Sequence, residues 1–201
     1  MTSQQYSTAE NAAGSLAQRV QFQRLEGARR PLAAMAGIAF AAAILIAAGE
    51  AFGVLISSTD SAAPAGVYRV IGREVVRGDL VVACLPIAVA HEGLARGYLR
   101  TGGCAGDAEP VDKIVGAIPG DIVEIEPGWL AINGKHIAHS VTAAHDSAGR
   151  PLEHVAWGKR QVAANEVWLF GFNDRRSWDS RYFGPIPLAN LRGKLEPVLT
   201  W

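Results

Sequence analysis

The sequence predicts a mainly β domain, a barrel or sandwich, carried behind one N-terminal transmembrane helix. Three observations lead there. Residues 31–56 (PLAAMAGIAFAAAILIAAGEAFGVLI) form the long apolar run, with no charge between 31 and 49. The 22 glycines and 10 prolines lie mostly after it, as turn-rich β structure requires. Short apolar stretches separated by turn residues then recur toward the C-terminus.

Residues 31–49, taken as a helix at 1.5 Å per residue, would extend roughly 28 Å, the thickness of a hydrocarbon core. The h-region of a cleaved signal peptide is shorter, about 7–15 residues. Glu50 is read as the outer end of the span, because a carboxylate deeper in lipid is costly. Arg19, Arg24, Arg29 and Arg30 precede the run, against Glu10 and Glu26. The positive-inside rule therefore puts the N-terminus in the cytoplasm. The expected organisation is a cytoplasmic tail (1–30), a transmembrane helix (31–56) and a working domain (57–201) outside the inner membrane.

Within 57–201, strands are expected at 67–70 (VYRV) and 80–84 (LVVAC), separated by a Gly78–Asp79 turn. The Ala-rich stretch 86–99 is expected to be a short helix. Strands follow at 114–118, 122–125 and 129–132, with Asn133–Gly134 as a hairpin turn. Residues 141–160 are irregular and polar, and 167–170 (VWLF) is a buried strand.

The chain carries 19 basic and 19 acidic residues, and that neutral balance gives no support for nucleic-acid binding. Cys84 and Cys104 both fall in the exported part. An oxidising compartment lets such a pair join, the alternative being two buried thiols. A Cys84–Cys104 bond would staple the helical insert to the sheet. Two cysteines without CxxC spacing and five scattered histidines make no metal-ligand set, and no cofactor is expected.

Two residues stand out chemically. Ser61 lies just past the apolar run, in the small and polar stretch SSTDSAAPAG at 57–66. A serine hydroxyl is a weak nucleophile until a base takes its proton. Ala62 and Ala63 beside it would leave room for a substrate backbone. Lys113 heads the apolar stretch of KIVGAIPGD at 113–121. Burial lowers a lysine pKa by disfavouring the charged form, so a sheltered Lys113 could act as the base. Lys135, Lys159 and Lys194 have less apolar settings. A solvated Lys113 and a plain linker around Ser61 are the competing readings of each motif alone. A third segment, SWDSRYFGP at 177–185, sets Asp179 and Arg181 among aromatics, as a charge pair held near a core would be.

These three segments, in this order behind one membrane span, resemble the membrane-bound type I signal peptidases, most closely their conjugative-transfer (TraF-type) branch. The resemblance spans nearly all of 57–201 and implies a signal-peptidase-like β barrel or sandwich. It also implies roles. Ser61 would be the nucleophile and Lys113 the general base. Thr59 would help the Ser61 backbone N–H hold the oxyanion. Ser177 would orient the Lys113 amine, while Asp179 and Arg181 brace the site. Pro64 stands three residues after the serine, as in general signal peptidases rather than the transfer branch, which keeps Ser58 open as an alternative nucleophile. The implied activity is a serine endopeptidase cutting exported precursors after a small residue. A conjugative pilin precursor is the implied substrate, and some members also join the pilin ends. Components of a conjugation or type IV secretion apparatus are the implied partners. A housekeeping signal peptidase and a non-catalytic bitopic scaffold of such an apparatus are the alternatives.

Overall fold

The computed structural model describes residues 35, 37–41, 43–44, 54–57, 62–174 and 176–201. The expected cytoplasmic tail, most of the expected span, and Ser58, Thr59 and Ser61 lie outside the described residues. Residues 35, 37–41 and 43–44 are helical, and Met35, Ile38, Phe40 and Ile44 among them are exposed. Among the described residues no helix is long and apolar enough to cross a membrane.

The chain divides into the units Met1–Phe52 and Gly53–Trp201. The second begins with strand β1 (Val54–Ser57), which pairs antiparallel with β2 (Gly66–Ile71). The expected helix therefore stops short of Ile56: Val54 to Ile56 are sheet backbone. The remaining strands and α-helices are β3 (Leu80–Ala83), α1 (Ile87–Arg96), β4 (Val111–Ala117), β5 (Ile122–Glu126), β6 (Trp129–Ile132), β7 (Lys135–Ile137), β8 (Gly158–Gln161), β9 (Glu166–Phe170), α2 (Ser180–Phe183), β10 (Ile186–Pro187) and β11 (Leu191–Thr200). The unit is mainly β, as the sequence predicts.

One sheet runs β1-β2-β11-β3-β4-β9-β10 and the other β7-β6-β5-β8, with every pairing antiparallel. Strand β9 serves two cores because successive side chains point to opposite faces. Val167 and Leu169 pack with Val81, Ala83, Val115 and Ile186, while Trp168 and Phe170 pack with Val123, Ile125 and Leu130. Strand β4 does the same by another device. Its register against β9 shifts between Val115 and Ala117. That irregularity at Gly116 lets Val115 join the first core and Ala117 the second, although two residues apart in a regular strand they would share a face. A Cβ on Gly116 would stand 2.1 Å from Phe170 Cδ2, so the position has no room for a side chain.

Helix α1 fills the insert between β3 and β4. Its buried face is Ala90 and Gly93, and it ends at Gly97, whose φ of 72° lets its N–H cap the helix. Cys84 and Cys104 are joined, which closes the insert onto the sheet as expected. The segment 113–121 ends in a turn organised by the Asp121 carboxylate. It accepts from Ile118 N (2.9 Å), Asn133 Nδ2 (2.9 Å) and the Arg77 guanidinium (2.7 and 2.8 Å).

Candidate active site

Lys113 is the third residue of β4, on the same side as Val115 and ahead of the Gly116 irregularity. Its partner across β3 is the fully buried Val81. The sheet thus turns a long cationic side chain toward an apolar core, and only 8% of Lys113 remains exposed. Burial pushes the Lys113 ammonium below the usual lysine range. The carboxylates of Asp179, Asp112 and Asp174 act against that fall, and the Arg181 guanidinium acts with it.

Asp179 and Arg181, which act on that charge in opposite senses, form a pair. Both are fully buried and joined by two bonds, Nε to Oδ1 at 2.8 Å and Nη2 to Oδ2 at 2.7 Å. The remaining valences are also used. Asp179 accepts from Gly171 N at 3.0 Å and, as cap of α2, from Arg181 N at 3.1 Å. Arg181 donates to Val141 O at 3.0 Å and Ser177 O at 3.2 Å. Burial works against the Arg181 charge, yet the Asp179 bonds hold its pKa above the usual value. Within the pair the Arg181 guanidinium offsets part of the pull of Asp179 on the Lys113 ammonium, and burial outweighs what remains.

Ser177, Trp178 and Lys113 line one cleft of about 800 Å³. Ser177 is buried, and its Oγ has no hydrogen-bond partner among the described residues. The end of the insert, Tyr98 to Arg100, and the loop around Asp146 line the cleft too. These two are tied together. Tyr98 OH donates to Asp146 Oδ2 at 2.7 Å, Arg150 Nε donates to the same oxygen at 2.7 Å, and Arg150 Nη2 reaches Arg96 O at 2.7 Å. The Tyr98 hydroxyl and then Arg150 hold the Asp146 carboxyl well below the usual carboxylate range. Burial and the Asp146 bond raise Tyr98.

The structure therefore gathers Lys113, Ser177, Asp179 and Arg181 around one cleft and its supports. Thr59 and Ser61 lie outside the described residues. Ala62 and Ala63 are buried, and Ala63 packs with Tyr68, Val82 and Leu195 instead of lining the cleft. Sequence reasoning missed the Tyr98–Asp146–Arg150 lock, reading 141–160 only as irregular. The DSAGR turn at 146–150 was its one local signal: Asp146 Oδ1 accepts from Ala148 N and Arg150 N, both at 2.9 Å. Among the described residues no cluster of His, Cys, Asp and Glu could hold a metal ion.

Residues 29–201 match the family model for signal peptidase, peptidase S26. The chain is 37% identical to the conjugal transfer protein TraF of Agrobacterium tumefaciens (strain 15955) over 86% of its own length and 97% of that protein. It is 34% identical to a plasmid transfer protein TraF of Escherichia coli, covering 85% of this chain and 96% of that one. Similarity to signal peptidase I V of Bacillus subtilis (strain 168) is 30% but covers 43% of this chain and 55% of that protein. A match over residues 29–201 makes the chain a member of the peptidase S26 signal peptidase family.

Proposed function

We propose that this protein is a membrane-anchored serine endopeptidase that uses a Ser61–Lys113 dyad to process exported precursors for conjugation, with a pilin precursor as the substrate class. The observation that carries this reading is the burial of Lys113 in a cleft, which disfavours the ammonium form and so supplies an amine able to accept a proton.

In this mechanism Ser61 Oγ attacks the scissile carbonyl carbon and its proton passes to Lys113 Nζ. The Ser61 backbone N–H and the Thr59 hydroxyl donate to the oxyanion, each such donor being worth about 10²–10³ in rate. Lys113 then returns the proton to the leaving amine as the C–N bond breaks. Water, deprotonated by the same amine, hydrolyses the acyl ester and frees Ser61. An amine attacking in place of water would join chain ends, giving a product one water lighter. Ser177 supplies a hydroxyl that turns onto the Lys113 amine, and the Asp179–Arg181 pair fixes the segment that bears it.

The apolar run at 31–49 and the arginines before it support a single span with a cytoplasmic N-terminus. The Cys84–Cys104 disulfide supports an oxidising, periplasmic setting for the domain. Near full-length similarity to proteins named for conjugal transfer supports the transfer role over a housekeeping one. A tether also raises the effective concentration of membrane-held precursors at the cleft.

The test is processing of a candidate pilin precursor co-expressed with the full chain, read by product mass. Wild type yields the cut product, while Ser61→Ala and Lys113→Ala leave the precursor intact. Cutting by both variants would remove the dyad, and a wild type that never cuts would favour the scaffold role.

A further inference from the structure

We propose that Trp178 is a positioning residue of the peptidase, through which helix α1 of the disulfide-closed insert holds Ser177 in place beside Lys113. The inference rests on the dyad reading above and assigns a role to a part of the molecule outside the dyad and its immediate supports.

Among the described residues Ser177 is held directly only through its backbone. Its N–H donates to Asp174 O at 2.9 Å and its carbonyl accepts from Arg181 Nη2 at 3.2 Å. Neither bond fixes the direction of the Oγ, which is buried without a partner among the described residues. The next side chain is clamped on several sides. The Trp178 ring lies 5.2 Å from Tyr98 and meets Phe183 edge-on at 5.1 Å. From α1, Gly93 presses so close that a Cβ there would stand 2.9 Å from Trp178 Cζ3 and 2.6 Å from Leu99 Cδ1. Gly93 is thus a contact surface for the indole, at the cost in helix stability that glycine carries within a helix.

The connection runs in one direction through packed groups. The Cys84–Cys104 bond closes the insert, α1 presses on the indole, and the indole sets the path of the chain at Ser177. A displacement of about 1 Å at a catalytic constellation can cost about 10²-fold in rate, so a ring held on three sides is an effective lever. Among the described residues, the charged groups that bear on Lys113 are Asp112 on its own strand, Asp179, Arg181 and Asp174. None of them belongs to α1, so a change at Gly93 or Trp178 reaches the amine by geometry and not by charge.

The experiment measures kcat and KM against pH for the full chain in membranes with a precursor peptide. Trp178→Ala should lower kcat about 10- to 100-fold with KM little changed. It should also move the acid limb of the kcat profile to higher pH, because a hydroxyl donating to the neutral amine favours that form. Trp178→Phe, which keeps an aromatic ring between Tyr98 and Phe183, should restore most of the rate. A rise in KM alone would make Trp178 a substrate contact, and a lower Tm with unchanged kcat would make it simple packing; either result overturns the proposal. If Trp178→Ala does not fold, Gly93→Ala takes its place, pushing the ring from outside the cleft with the same two effects expected. An unaltered kcat in a folded Gly93→Ala protein overturns the proposal too. Ser177→Ala separates the levels. If it leaves kcat unchanged, the dyad reading loses Ser177; if it lowers kcat while Trp178→Ala does not, only the present inference falls.

Discussion

Lys113 and Asp121 stand at the two ends of one segment, and both are buried, yet the structure treats their charges in opposite ways. At Asp121 burial works against ionisation, but the bonds from Arg77, Asn133 and Ile118 outweigh it, and the carboxyl titrates below its usual range. At Lys113 burial works against ionisation and prevails over three acidic neighbours. One end is a charge kept as a charge, which ties its turn to Arg77 and to the turn at Asn133. The other is a charge the fold disfavours, which leaves a base. Burial alone therefore does not mark a functional group; the balance between burial and its compensation does.

That contrast can be broken at several points. The largest effect is expected from Lys113→Met, which should remove about 10³-fold or more of the peptidase rate. It should also leave the domain as stable or more stable near neutral pH, by about 0.5–2 kcal/mol, since it removes a buried ionisable group. The pH dependence has a definite sign. An unfolded chain keeps the lysine proton to about pH 10.4, whereas the folded protein releases it earlier. Between the two pKa values the unfolded state binds more protons, so wild-type stability rises with pH there relative to Lys113→Met. Thermal melts of both proteins across pH 7–10 check this.

Asp179→Asn comes next. It leaves the Arg181 guanidinium buried without its counter-charge and should cost about 3–5 kcal/mol, read by denaturant unfolding. Gly116→Ala should cost about 1–3 kcal/mol or more, because the new methyl meets the Phe170 ring and has no space to enter. Asp121→Asn should cost about 1–3 kcal/mol at pH 7. Its depressed carboxyl contributes stability that is present above the unfolded value of about 3.9 and is lost as pH falls through the folded pKa. The difference between wild type and Asp121→Asn should therefore shrink in acid, whereas the gap between wild type and Lys113→Met closes in alkali, although wild-type stability rises with pH relative to the variant in both cases. Tyr98→Phe is the mildest, about 0.5–1.5 kcal/mol, because Asp146 keeps Arg150.

Much of this was legible in the sequence. Strands with apolar runs and sharp turns, such as β6 and β9, fall within a residue of their expected limits. Lys113, Ser177, Asp179 and Arg181 were read from their motifs, and the structure brings all four to one cleft or its supports. Strand β11 was invisible for a physical reason. Its sequence, LRGKLEPVLT, alternates weakly, holds Gly193 and Pro197, and is exposed beyond Leu195. Its register shifts between Pro197 and Leu199, where a ladder donor is missing. Yet it lies in the middle of the larger sheet, held by long-range pairing to β2 and β3. The Tyr98–Asp146 lock escaped for a related reason: its partners are 48 residues apart, and no local pattern connects them. The Gly116 irregularity could be noticed as a glycine in a strand, but the side chain that demands it, Phe170, is named only by the fold.

The most direct measurement is the titration of Lys113 itself. The chain has four lysines, so a protein labelled with ¹³C at lysine Cε gives few signals, and the one absent from Lys113→Met is assigned at once. This signal should titrate below the ordinary lysine value of about 10.4, and the acid limb of kcat should follow it. A Lys113 that titrates at or above that value, with peptidase activity indifferent to its protonation, would contradict the dyad reading.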